Sequence, residues 1–283
     1  MAPSLPIMLF PILLLPLFFS LSHSSTLNSF IYGGCSQLRY SSDDSAYTSN
    51  LNSLLTSLVN SATYMSYNHF AVAGTSPHDV VYGIYQCRGD LSMPDCATCV
   101  ANSVSRLGAL CPGACGGVIQ LEGCYVKYDN DTFIGAEDKT VVMKKCGTPT
   151  GIADKITNRD AVLDGVVGGG GEIYRAGGSK DVAVIAQCVG DLNEGQCQDC
   201  LQEADKQVKM VCGTSGYGDM YLGKCYVRYT IGGGRAYFNT NNIGSDKNKS
   251  VKTFALIIGL LAAIVIVIIF LTFICRVFAG SSK

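Results

Sequence analysis

The chain has 283 residues, 21 basic against 22 acidic side chains, 14 cysteines and three histidines. Charge is nearly balanced, and the sequence holds no basic patch of the kind that nucleic-acid binding demands. Only His69 and His78 lie outside the N-terminal leader, which starves most zinc-site and general-base readings.

Taken in order, Ile7–Phe19 is an apolar run interrupted by two prolines, followed by small polar residues from Ser20 to Ser25. This is the pattern of a secretory signal peptide over residues 1–25, although its first residues carry no Lys or Arg. Phe30–Cys35 reads as a short strand. Asp43 or Asp44 is placed to cap a helix in which Tyr47, Leu51, Leu54, Leu55, Leu58, Val59, Ala62 and Met65 recur at three- and four-residue spacing. Gly74–Pro77 is a turn, and Val80–Cys87 a strand. Pro94 and Asp95 open a second helix whose buried stripe is Cys96, Cys99, Val100, Val104, Leu107 and Cys111. Val118–Leu121 and Cys124–Tyr128 read as antiparallel strands, and Thr140–Met143 as the strand that closes the first domain.

The rest repeats this plan with a shorter front. A short helix around Asp160–Val167 ends in Gly168–Gly171. A clearer one follows, with Cys197, Cys200, Leu201, Ala204, Val208, Val211 and Cys212 inward, and Gln198, Asp199, Gln202, Glu203, Lys206 and Lys209 toward water. Residues 242–252 are a polar stalk. Thr253–Cys275 then carries no charge over 23 residues, long enough to cross a hydrocarbon core of about 30 Å. With the leader removed, the cysteine-rich part is translocated and 276–283 stays in the cytosol, the topology of a type I membrane protein. Arg276 and the residues after it argue against a lipid anchor in place of the span.

The repeat is explicit in the cysteines. Adding 101 to Cys87, Cys96, Cys99, Cys111 and Cys124 gives Cys188, Cys197, Cys200, Cys212 and Cys225. Gln86/Gln187, Gly89/Gly190, Asp90/Asp191, Leu91/Leu192, Gly117/Gly218 and Leu121/Leu222 share the offset, and Tyr125–Tyr128 answers Tyr226–Tyr229. Two copies of one domain therefore stand in tandem, 26–143 and 144–241. With Cys35 and Cys146 as leading members, each copy holds six cysteines. In a secreted protein these favour disulfides, with zinc held by the two Cys-x-x-Cys pairs as the alternative and a dithiol redox motif behind it.

This comb resembles the ginkbilobin-type stress-antifungal domain of land plants, over roughly residues 30–240. The resemblance implies an α+β fold in each copy, two helices on an antiparallel sheet of about five strands. It implies the bridges Cys35–Cys111, Cys87–Cys96, Cys99–Cys124, Cys146–Cys212, Cys188–Cys197 and Cys200–Cys225. Tandem copies on one span with a minimal tail, together with Cys111–Gly117 and Cys124–Asn130, resemble the plasmodesmata-located proteins. The short tail leaves no room for the cytosolic kinase of a sister branch.

The mannose-binding positions of the single-domain family member fall here on Ser36, Val118 and Asp129, then on Gly147, Asp219 and Thr230. Only Asp129 keeps even the charge, so sugar binding there lacks its donors. No catalytic motif appears. Gly168–Gly171 and Gly232–Gly234 read as turns, and His69 and His78 as surface loop residues. Asn130 and Asn248 head glycosylation sequons. Cys115, whose offset position is Gly216, is either a small buried residue or alternative partner of Cys35, or else a thiol for intermolecular pairing or oxidation sensing. Cys275, at the end of the span, is a palmitoylation candidate or simply the last apolar residue.

The expectation is a non-enzymatic type I protein without cofactor or metal, lectin-like outside the cell and concentrated at plasmodesmata. It would regulate cell-to-cell traffic through callose deposition and defence-linked closure. The resemblance implies as partners the membrane, other copies or family members, receptor kinases, callose synthase complexes and viral movement proteins. The rival expectation is a co-receptor that binds a wall glycan or microbial ligand and signals through a kinase partner.

Overall fold

The computed structural model describes residues 26–40, 45–74, 79–150 and 153–232. The leader, the expected cap at Asp43 or Asp44, His78, Asn248, the stalk, the 253–275 span, Cys275 and the tail lie outside the described residues. Among the described residues no helix is long and apolar enough to cross a membrane.

Two compact units divide after Ala136. The first carries β1 (Phe30–Cys35), α1 (Ser45–Ser61), β2 (Tyr67–Val72), β3 (Val81–Cys87), α2 (Met93–Leu110), β4 (Gly117–Leu121) and β5 (Cys124–Asp129). Its five strands form one antiparallel sheet in the order β1-β4-β5-β3-β2. Strand residues of one parity, including Tyr85, Cys87, Ile119, Leu121, Cys124, Val126 and Tyr128, meet Leu51, Leu54 and Leu58 of α1 and Cys99, Val100 and Leu107 of α2 in a single core. Both helices therefore cover the same sheet face. α2 starts where Ser92 accepts from the Asp95 N–H, with Pro94 in the first turn, where its missing N–H leaves no helical bond unmade.

The second unit repeats the plan with β6 (Val141–Cys146), α3 (Ala153–Val167), β7 (Tyr174–Gly178), β8 (Val182–Cys188), α4 (Glu194–Cys212), β9 (Tyr217–Leu222) and β10 (Cys225–Ile231), in the order β6-β9-β10-β8-β7. A capping box closes the start of α4: Asn193 accepts from the Gln196 N–H, and the Gln196 side chain accepts from the Asn193 N–H.

Five expectations need correction. Val141–Cys146 does not close the first domain; it pairs with β9 and opens the second, which moves the boundary from 143/144 to 136/137. β2 and β7 are strands that the sequence left as connections, so His69 stands on a strand, opposite Ile84, rather than on a loop. α3 begins at Ala153, seven residues ahead of the expected helix. Val211 is 38% exposed rather than core-facing, because Cys212, one residue on, takes the inward position in the last turn.

Candidate functional site

Within the first unit the structure joins Cys35 to Cys111, Cys87 to Cys96 and Cys99 to Cys124; within the second it joins Cys146 to Cys212, Cys188 to Cys197 and Cys200 to Cys225. Each set ties the edge strand to the end of the second helix, the long central strand to the start of that helix, and the helix middle to the last strand. Among the described residues no group of three or more His, Cys, Asp or Glu is placed to hold a metal.

Cys115 stands outside these bridges and is 6% exposed. Its N–H donates to the Leu38 carbonyl (2.9 Å), and its own carbonyl accepts from the Tyr47 hydroxyl (2.5 Å). The neighbouring Ala114 carbonyl accepts from the Tyr128 hydroxyl (3.1 Å). Burial first, then the negative potential of Cys115, Asp129 and nearby phenols, raises both tyrosines, Tyr128 to about 12, so both remain neutral donors. The two hydroxyls clasp the loop that carries Cys111 and Cys115. The second unit keeps half of this clasp: Tyr229 donates to the Ser215 carbonyl (3.1 Å), while Arg159 replaces Tyr47 by donating to the Gly213 carbonyl and to the Tyr229 oxygen.

The transposed sugar positions do not make a sugar site. In the first unit Ser36 and Asp129 both flank Gly116: the Ser36 N–H donates to its carbonyl (2.8 Å), and the Asp129 carboxylate lies where a Cβ on Gly116 would fall. Val118 between them has no polar side-chain atom. In the second unit Tyr217 covers Gly147, whose added Cβ would sit 2.4 Å from the ring. Asp219 is held by Arg228 at 2.8 Å, both buried.

The sheet face turned away from the helices carries a feature absent from the sequence reading. Tyr32, Gln120, Tyr125, Gln86 and Tyr67 are successive cross-strand neighbours over all five strands of the first sheet. Met143, Tyr221, Tyr226, Gln187 and Tyr174 form the corresponding row in the second. Gln120 donates to the Leu121 and Cys124 carbonyls (2.8 and 3.2 Å), and Tyr226 donates to Gln187 (3.1 Å). Gln86, Gln120 and Tyr125 of the first row and Gln187 and Tyr221 of the second are buried, so these amides and phenols are packed rather than displayed. The signal was present in Gln86/Gln187 and Tyr125/Tyr226, each one residue from a core cysteine and so on the opposite face.

Asn130 lies half-buried in the turn after β5, with the rest of its sequon, Asp131 and Thr132, exposed. Asp90 and Asp191, also equivalent, are both anchored by buried cations of different origin. Arg88 reaches Asp90 (2.6 Å) and Glu122 (3.3 Å), whereas Lys224 pairs with Asp191.

The family described as Salt stress response/antifungal matches residues 34–131 and 157–231, one stretch in each unit. Plasmodesmata-located protein 7 of Arabidopsis thaliana is 58% identical over 253 residues, 89% of this chain and 84% of that protein. The chain belongs to the plasmodesmata-located protein family. A second member, plasmodesmata-located protein 6 of Arabidopsis thaliana, is 49% identical over 260 residues, 89% of this chain and 90% of its own. The crystal structure of the tandem DUF26 ectodomain from the Arabidopsis thaliana cysteine-rich receptor-like protein PDLP5 superposes with a TM-score of 0.68 at 44% identity. It covers 72% of this chain and 100% of that one. The two-unit, five-strand, disulfide-stapled architecture described above matches that tandem DUF26 ectodomain.

Proposed function

We propose that this chain is a non-enzymatic type I membrane protein of the plasmodesmata that regulates traffic between cells by promoting callose deposition and defence-linked closure of the channel. The observation that carries the reading is the 58% identity over 89% of the chain to a protein named for that location. A leader over 1–25 and a span over 253–275 would set both units in the apoplast, where six bridges persist and Asn130 is open to glycosylation. Regulation then proceeds by association rather than chemistry. The units present partners outside the membrane, and Gly259, Ala262 and Ala263 offer small-residue contacts within it. Partners of this kind are further copies, other family members, receptor kinases, callose synthase complexes and viral movement proteins.

A fluorescent protein fused after Lys283 tests the reading. Punctate foci that span the wall, with callose staining that rises on overexpression, are expected. Uniform surface labelling would sink it. A co-receptor acting through a kinase partner is the second reading, favoured by the receptor-like description of the superposed ectodomain. It predicts ligand-dependent co-purification of a kinase and no effect on callose.

A further inference from the structure

We propose that β6, the edge strand of the second sheet, is a docking strand for an acidic, extended segment of a partner protein, which adds to the sheet as a sixth strand. The inference concerns a partner's chemistry and holds whether or not the chain acts on the channel. β6 stands at the edge in the order β6-β9-β10-β8-β7. On its inner side Lys145 stands opposite Asp219, and the Gly147 N–H, just past the strand, donates to the Tyr217 carbonyl (2.9 Å). In an antiparallel pair the backbone groups of alternate residues face the partner strand, so those of Lys144 and Cys146 point away from the sheet. An open row of N–H and C=O groups at two-residue spacing selects another extended backbone, a repeat that neither a lipid headgroup nor a glycan offers.

The side chains narrow the partner. Strand alternation places Lys144 on the helix side with Cys146, whose sulfur joins Cys212 of α4, and Lys145 on the opposite face. Both lysines are exposed. Among the described residues neither makes an ion pair: Asp219, opposite Lys145, is held by Arg228 (2.8 Å), and the Lys145 ammonium lies 6.0 Å from the Tyr217 ring. Two cations thus straddle one edge, one on each face. Val141 and Val142 on the same strand are 40% and 43% exposed. An added strand sends consecutive side chains to opposite faces, so two adjacent acidic residues would meet one lysine each, and flanking apolar residues would cover the valines.

The first unit shows that the fold requires neither lysine. Cys35 and Cys146 end equivalent edge strands, so Gly33 and Gly34 of β1 occupy the places of Lys144 and Lys145. At Gly33 an added Cβ would lie 2.7 Å from Leu110, the counterpart of Val211 by the offset of 101. The same edge, bridged to the same helix end, is therefore built without charge in one unit and with two adjacent cations in the other. Lysines on an edge strand repel a like edge. Antiparallel pairing with the β6 of a second copy would crowd four lysines onto one seam, so this edge rejects self-pairing and admits an acidic strand.

The test uses the full chain in nanodiscs of zwitterionic lipid, with a fluorescein-labelled peptide Thr-Val-Glu-Glu-Val-Thr as the probe and anisotropy as the readout. The Glu-Glu peptide should bind, more weakly as salt rises, and the same peptide with Lys-Lys at its centre should not. Two further versions are N-methylated at alternate residues in opposite phases. One phase should bind and the other should not, because only alternate amides of an added strand face β6. Lys144→Gln with Lys145→Gln should weaken the Glu-Glu peptide by about tenfold, the effect of two exposed ion pairs, and Lys144→Arg with Lys145→Arg should retain it. Lys144→Glu with Lys145→Glu should reverse the preference in favour of the Lys-Lys peptide; unchanged urea midpoints establish that these variants fold. Absence of any Glu-Glu signal at millimolar concentration would leave the lysines as guards of an unused edge and overturn the proposal. Identical behaviour of the two N-methylated phases, or equal binding of polygalacturonate, would reduce the site to a charged patch and overturn it too. So would full affinity in the glutamine pair, which would place the peptide elsewhere.

Discussion

Replacing one bridge at a time by a pair of alanines should destabilise a unit in the order of the loop each bridge closes. In the first unit the separations are 76 for Cys35–Cys111, 25 for Cys99–Cys124 and 9 for Cys87–Cys96. The chain-entropy relation then gives about 4.5, 3.5 and 2.5 kcal/mol at 25 °C. The contact energy lost with the sulfurs adds to each value. It changes the order little, because five of these six cysteines are buried and the sixth, Cys35, is half-buried. The second unit repeats the trial with separations of 66, 25 and 9, so its long bridge should cost nearly as much as Cys35–Cys111. Urea unfolding without reductant, followed through tyrosine fluorescence, gives the ranking; the chain has 15 Tyr and no Trp, so the signal is undiluted. If loss of the nine-residue bridge cost as much as loss of the longest bridge in both units, loop entropy would not be what these links supply.

Lys224→Met should cost about 3–5 kcal/mol by stranding Asp191, and adding Asp191→Leu should recover most of it in the same urea midpoints. The raised phenols of Tyr47, Tyr85, Tyr128 and Tyr229 bind their protons more tightly folded than unfolded. Their contribution is whole below pH about 10, where an ordinary tyrosine titrates, and is lost as pH climbs through the folded value, about 12 for Tyr128. Melting temperatures should accordingly fall as pH rises from about 10 to about 12, and fall less in Tyr128→Phe; an identical fall would dismiss that assignment. Asn193→Ala should cost about 1 kcal/mol by opening the α4 cap, whereas Asn193→Ser should cost little.

What was legible in the sequence was what repeats locally. Leu51, Leu54 and Leu58 announce α1, and the cysteines of α2 and α4 fall at helical spacing on the buried stripe. The edge strands were hidden. β7, Tyr-Arg-Ala-Gly-Gly, has weak strand preference of its own and is held by its ladder with β8. β6 was given to the wrong unit because its partner β9 lies some 75 residues downstream, a pairing that no local pattern declares. The buried cations were invisible for the same reason. Nothing near Lys224 in the sequence distinguishes it from a surface lysine, and its partner Asp191 is 33 residues away.

Comparison of the units separates frame from variable surface. The bridges, the Tyr128/Tyr229 clasp and the anchored Asp90/Asp191 occupy equivalent positions, and where one partner changes, as from Arg88 to Lys224, the acid is still held. A frame fixed covalently at three points per unit does not depend on the outer faces of its helices for stability, since those faces add only small surface terms. α1 is therefore at liberty to carry no charge, and α3 to carry Asp154, Lys155, Asp160 and Asp164, without consequence for the sheet beneath, whereas the buried Arg159 belongs to the frame. The division follows: the two copies keep the same interior chemistry, and the first helix of each is where their outer faces differ in charge.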